Sequence, residues 1–130
     1  MVIQAILCAS LFSLCAAFRE QSIAVKGRLL CGTEPASNIR VKLWDEDSGY
    51  SDSNGEFFLA GATKEFTAME PILKIYHDCN DGIKSGVRKL KFGLPDQYIS
   101  NGLTPLKTVD VGVINLELTY MEEGRKSIAD

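Results

Sequence analysis

The chain has a single histidine, His77, a single tryptophan, Trp44, only four prolines, and no Asn-X-Ser/Thr sequon. Each scarcity excludes something. One histidine and a few cysteines fall short of a structural zinc set, so no metal site and no cofactor is expected. Without a sequon, N-glycosylation is not expected. Positive charge is not in excess: 14 Lys and Arg stand against 17 Asp and Glu, a formal net charge of −3. A nucleic-acid-binding domain is normally strongly basic, so that class is excluded. There is no long internal repeat and no low-complexity tract. The 130 residues suffice for one domain and not for two comfortable cores.

The most conspicuous feature present is at the start. Residues 2–17 are almost all apolar or small, and no charged side chain precedes Arg19. A membrane span needs about 20 apolar residues. The run suits a secretory signal peptide instead, with the small side chains of Cys15 and Ala17 before a cleavage point. Residues 1–17 are therefore expected to be removed, leaving residues 18–130 as one extracellular domain. No second apolar run of spanning length follows.

Of four cysteines, Cys8 and Cys15 would leave with that peptide, and Cys31 and Cys79 would remain. An even pair in an oxidising compartment predicts a disulfide. Closing a loop of about fifty residues stabilises a fold by about 4 kcal/mol in the chain-entropy description. This reading also disposes of His77-Asp78-Cys79 as a catalytic triplet. A nucleophilic cysteine must be a thiolate, which a disulfide lacks. Residues 71–77 read as a strand, whose successive side chains point to opposite faces. His77 and Asp78 should therefore diverge, leaving His77 satisfied or solvent-facing. No catalytic residue is assigned, and the chain is not expected to be an enzyme.

Short alternating runs separated by turn signals make up the rest. Residues 22–31 form the first, with Ile23, Val25 and Leu29 on one face and Gly27 marking a bulge or close backbone approach. Residues 39–44 alternate cleanly: Ile39, Val41 and Leu43 inward, Arg40, Lys42 and Trp44 outward. The acidic stretch Asp45–Phe57 invites a calcium loop, but its spacing fails for an EF-hand: aligning Gly55 to the required glycine puts Tyr50 at the first ligand position. Asn54-Gly55 reads as a turn needing positive φ, with Asp52 bonding to nearby backbone. Residues 56–61 form a short strand, and 62–70 a helical turn or two stopped by Pro71. Residues 87–94 alternate again, with Leu90, Phe92 and Leu94 inward and Lys89 and Lys91 outward. Residues 95–102 are a turn-rich connection, 108–118 the last strand, and the polar tail 122–130 is expected to fray. About seven short strands with one short helical segment predict an all-β sandwich.

Four segments in order, VKGRLLCGTEPASNIRVKLWDEDSG, SDSNGEFFLAG, KIYHDCNDG and DVGVINLEL, resemble the transthyretin-like proteins secreted by nematodes. The resemblance runs from about Ile23 to Leu118. It implies a transthyretin-like (prealbumin-like) sandwich, secretion, and pairing of Cys31 with Cys79. Better known relatives of that fold include a thyroid-hormone carrier and a hydroxyisourate hydrolase, and neither role transfers by fold alone. The hydrolase relies on several histidines, and this chain has one.

The expectation that follows is a secreted, non-enzymatic binding or adaptor module, bridging an anionic cell-surface lipid or a protein receptor to another partner. Charge supports a polar face: residues 43–70 carry seven acids and one base, residues 71–107 six bases and three acids. The candidate contact residues are Lys84, Arg88, Lys89 and Lys91, with Trp44 as an aromatic anchor. An ordinary solvated strand face guarded by lysines is the plain alternative. A second function class is a carrier of a small hydrophobic ligand, with Trp44 and Tyr50 lining a groove or subunit interface. The oligomeric state is left open, a monomer being the simpler expectation.

Overall fold

The structure is a computed structural model, and it describes residues 19–44, 47–65, 70–80, 86–120 and 123–126. The proposed signal peptide and Lys84 lie outside the described residues.

Among the described residues ten strands follow one another: β1 (Arg19–Cys31), β2 (Glu34–Pro35), β3 (Arg40–Leu43), β4 (Asp47–Tyr50), β5 (Glu56–Glu65), β6 (Ile72–His77), β7 (Val87–Gly93), β8 (Ser100–Asn101), β9 (Thr108–Asn115) and β10 (Gly124–Lys126). One 3₁₀ turn, Asp96–Tyr98, precedes β8. The strands form two five-stranded sheets. In the first, β1 is central: β5 and, at the end of β1, β2 pair antiparallel along one edge, and β8 antiparallel and β9 parallel along the other. The second runs β10-β7-β6-β3-β4, all antiparallel.

The period-2 pattern fills the space between the sheets. Ile23, Val25 and Leu29 of the first sheet and Val41, Leu43, Leu73, Ile75 and Leu90 of the second are essentially fully buried, joined by Leu116. Removing such side chains from water supplies about 1.5–3 kcal/mol each. Gly27 fits the expectation of close approach: a Cβ there would lie 2.6 Å from Val111 and 3.0 Å from Phe57. Opposite it, β9 is bulged. Lys26 and Arg28 pair with Asp110 and Val113, so Val111 and Gly112 of β9 stand against Gly27 alone. The Asp110 carboxylate accepts the Gly112 N–H, holding the bulge.

The Asn54-Gly55 turn takes the expected form. Gly55 has φ +79°, and Asp52 Oδ1 accepts the backbone N–H groups of Asn54 and Glu56, each at 2.9 Å. Cys31, ending β1, and Cys79, just past β6, are joined with 5.8 Å between their Cα atoms. The disulfide thus ties one sheet to the other.

Four expectations about elements are corrected. The helical turn over 62–70 is absent where described, because β5 continues to Glu65 with every residue from Arg28 back to Arg19 paired against it; residues 66–69 lie outside the described set. The acidic loop after Trp44 contributes β4, a four-residue strand against β3. The connection 95–102 holds a 3₁₀ turn and the two-residue strand β8. The tail does not fray throughout, since Gly124–Lys126 pair with β7.

Candidate functional site

Direct cross-strand partners share a sheet face. On the second sheet this rule assembles the outward residues into rows. One row is Ser48, Lys42, Lys74 and Lys91, taken across β4, β3, β6 and β7. The next is Tyr50, Arg40, Tyr76, Lys89 and Gly124, ending on β10. Lys126, paired with Val87, adds a further position on the same face. Six cations therefore occupy one face: Arg40, Lys42, Lys74, Lys89, Lys91 and Lys126. No described strand position on it carries a carboxylate. With strands about 4.8 Å apart, the row Lys42-Lys74-Lys91 spans about 10 Å. Like charges directly opposite each other are unfavourable for a sheet by some tenths of a kcal/mol per pair.

Tyr76 lies at the middle of this face, yet the residue is only 6% exposed. The arms of neighbouring cations cover it. The Arg40 guanidinium sits 5.5 Å from the ring centroid, the Lys42 ammonium 5.6 Å and the Lys126 ammonium 4.9 Å. All are within cation–π range. Long arms that would otherwise wander are thereby held over one point.

Of the five contact residues expected from sequence, Lys89 and Lys91 lie on this face and Lys84 lies outside the described residues. Arg88 is not a surface cation. It points between the sheets and is 8% exposed. Its Nη1 donates to the carbonyls of Cys79 (2.8 Å) and Leu116 (3.0 Å), its Nη2 to that of Leu118 (2.8 Å), and its Nε to the Glu123 carboxylate. It is a buried tie between the disulfide turn, the segment after β9 and the approach to β10. Its parity with Leu90 and Phe92 was the signal that it points inward. Trp44 is not an outward anchor either. It follows the last residue of β3 with φ +54°, which turns the indole into the core at 9% exposure. Its Nε1–H donates to the Glu70 carbonyl at 3.0 Å. Sequence reasoning missed Arg40, Lys42, Lys74 and Lys126. The alternation in β3 already showed Arg40 and Lys42 outward, but only the strand order places them beside Lys89 and Lys91.

His77 is 2% exposed, with Nδ1 accepting the Cys79 N–H at 3.0 Å and Nε2 lying 3.9 Å from Glu123. Asp78 beside it is exposed. The two diverge, and the cysteine is bonded to Cys31. The triplet is structural.

An open groove of about 670 Å³ runs along the first sheet at the β1 and β9 irregularities and reaches the β4 edge, lined by Lys26, Arg28, Tyr50, Phe58, Asp110 and Val113 among others. Tyr50 and Phe58 are each 61% exposed and Val113 62%. Trp44 does not contribute to it. No group of three or more His, Cys, Asp or Glu side chains suited to a metal occurs among the described residues. No helix among them is long and apolar enough to cross a membrane.

Residues 26–95 match the family model TTR-52, transthyretin-like family. The chain belongs to the transthyretin-like family. Three relatives from Caenorhabditis elegans show how far the likeness extends. Transthyretin-like protein 46 is 50% identical over 132 residues, covering 93% of this chain and 74% of that protein. Transthyretin-like protein 33 is 40% identical, covering 89% and 91%. Transthyretin-like protein 2 is 42% identical, covering 85% and 84%. Among solved structures, a 9R-lipoxygenase from Cyanothece PCC8801 aligns with a TM-score of 0.41 and 20% identity over 74% of this chain and 16% of that one.

Proposed function

We propose that this transthyretin-like protein is a secreted, non-enzymatic adaptor that docks on an anionic lipid surface through the outer face of the β10-β7-β6-β3-β4 sheet. One observation carries the reading: six cations on that face with no carboxylate among its described strand positions, on a chain whose formal net charge is −3. Segregating positive charge on an acidic protein orients it toward an anionic surface. Each cation near such a surface contributes about 1 kcal/mol. The acidic and mixed-charge remainder then faces outward, available to a protein receptor. Export by the N-terminal apolar run and retention of the Cys31–Cys79 bridge fit the extracellular side.

Sedimentation of the mature chain with anionic and with neutral vesicles tests the reading. Preferential binding to anionic vesicles, lost in a Lys74→Glu/Lys91→Glu variant, is expected. Equal binding to both, or a variant that binds undiminished, would refute it.

The groove beside Phe58 and Val113 favours a second reading, a carrier of a small hydrophobic ligand. The ligand would lie on those exposed apolar side chains. Anilinonaphthalene sulfonate is a suitable probe. Fluorescence enhancement that Phe58→Ala and Val113→Ser abolish supports this reading, and enhancement unaffected by both counts against it.

A further inference from the structure

We infer that the Tyr76 cluster is a discrete site for a phosphate monoester, built into the docking face and completed by the C-terminal strand β10; the inference rests on the docking reading and narrows it to one headgroup chemistry. A diffuse basic face would spread its cations evenly. Here three of the six converge. Arg40, Lys42 and Lys126 all lie within 5.6 Å of the centroid of one ring. Any two of these charges are therefore no more than about 11 Å apart, and flexible arms need close by only about 3 Å to meet on a single tetrahedral anion.

The cluster is assembled from non-adjacent segments. Arg40 and Lys42 belong to β3, on one side of β6. Lys126 belongs to β10, two strands away on the other side. Lys89 stands directly opposite Tyr76 on β7, between them. The Tyr76 ring, itself nearly buried, serves as the floor. Cation–π contact restricts the arms before a ligand arrives, so less rotamer freedom remains to be lost on binding. Arg40 offers a planar fork suited to two oxygens of one phosphate, and the lysines offer point charges beside it.

Ligand charge follows from this arrangement. A monoester carries about −1.5 to −2 near neutral pH, its second pKa being about 6. A diester carries a single charge at any pH of interest. Three convergent cations therefore discriminate in favour of the monoester, whether it is a lipid headgroup or a soluble phosphorylated small molecule. Lys91, at the far end of the neighbouring row, contributes to surface attraction and not to this discrimination.

Three arms test the inference on the mature chain: vesicles containing phosphatidic acid, a monoester; vesicles of matched surface charge containing phosphatidylglycerol, a diester; and soluble glycerol phosphate followed by NMR shifts. Tighter binding to phosphatidic acid is expected, with glycerol phosphate shifting Arg40, Tyr76 and Lys126. Arg40→Gln and Lys126→Gln should each weaken the monoester preference about tenfold, and Lys91→Gln should leave it intact. Tyr76→Phe, which keeps the ring face, should retain the preference, and Tyr76→Leu should lose it. Equal binding to both vesicle types with all three cation variants weakened alike would overturn the discrete site and leave the docking face standing. Glycerol phosphate binding without binding to either vesicle would uphold the site and overturn the docking reading.

Discussion

At the scale of single residues, Arg88 shows how chemistry and position can disagree. A guanidinium between two sheets is tolerable only because three carbonyls and a carboxylate surround it. Arg88→Ala leaves those acceptors without partners in a buried place, and about 3 kcal/mol of stability should be lost in urea titration. Arg88→Lys should recover little, because one ammonium cannot reproduce a fork that serves separate segments. The residue was legible in part: its parity with Leu90 and Phe92 pointed inward, and only its charge suggested the surface. Trp44 was not legible. Its parity continues Arg40 and Lys42 outward, and a positive φ in a bulky residue is too uncommon to assume. Gly55 was fully legible, since Asn-Gly after an acidic turn demands a residue free to adopt φ near +79°. A Cβ there would collide with the Leu29 carbonyl oxygen, which accepts the Ala36 N–H. Gly55→Ala should therefore destabilise by about 2 kcal/mol or more, strain and collision acting together, and thermal unfolding measures it.

At the scale of elements, the long core strands could be read from alternation, and the short partners could not. Residues 72–77 and 87–94 were bounded almost correctly because apolar side chains recur there every second position. β4, β8 and β10 have four, two and three residues, and none carries an alternation long enough to detect. Their existence is decided by what they lie against. β5 was misread past Gly61 because Ala62, Thr63, Lys64 and Glu65 suit a helix locally, while the partner strand β1 is long enough to pair with all of them. β10 matters most for function, since it brings Lys126 over Tyr76. Three residue pairs hold it to β7, and Glu123, gripped by Arg88, anchors its entry. Glu123→Gln weakens that grip by replacing a charge-assisted bond with a neutral one. Amide exchange in Gly124–Lys126 should accelerate several-fold in this variant, while exchange in β6 stays unchanged. Equal protection in both proteins would mean that strand pairing alone keeps β10 in place.

At the scale of the whole molecule, the same two sheets meet two demands. Covalently, Cys31 ends a strand of one sheet and Cys79 follows a strand of the other, so the bridge limits how far the unfolded layers can separate. Reduction should lower stability by about 4 kcal/mol in urea titration with and without reductant, a large share of the total of about 5–15 kcal/mol usual for a domain. Electrostatically, the sandwich sorts its charge. Its inner faces are mostly apolar, with His77 and the fully partnered Arg88 among the exceptions, and one outer face gathers six cations that the linear sequence scatters from Arg40 to Lys126. Sequence alone located two of those cations, because the other four join them only through strand order. Attraction between such a face and an anionic membrane decays over a Debye length of about 10 Å at 0.1 M salt and about 3 Å at 1 M. Vesicle binding should therefore fall steeply as salt rises across that range. The double charge reversal at Lys74 and Lys91 should flatten the salt dependence as well as weaken binding, because fewer cations remain to be screened. A variant equally weakened but with an unchanged salt slope would show that these lysines act through the fold and not through their charge.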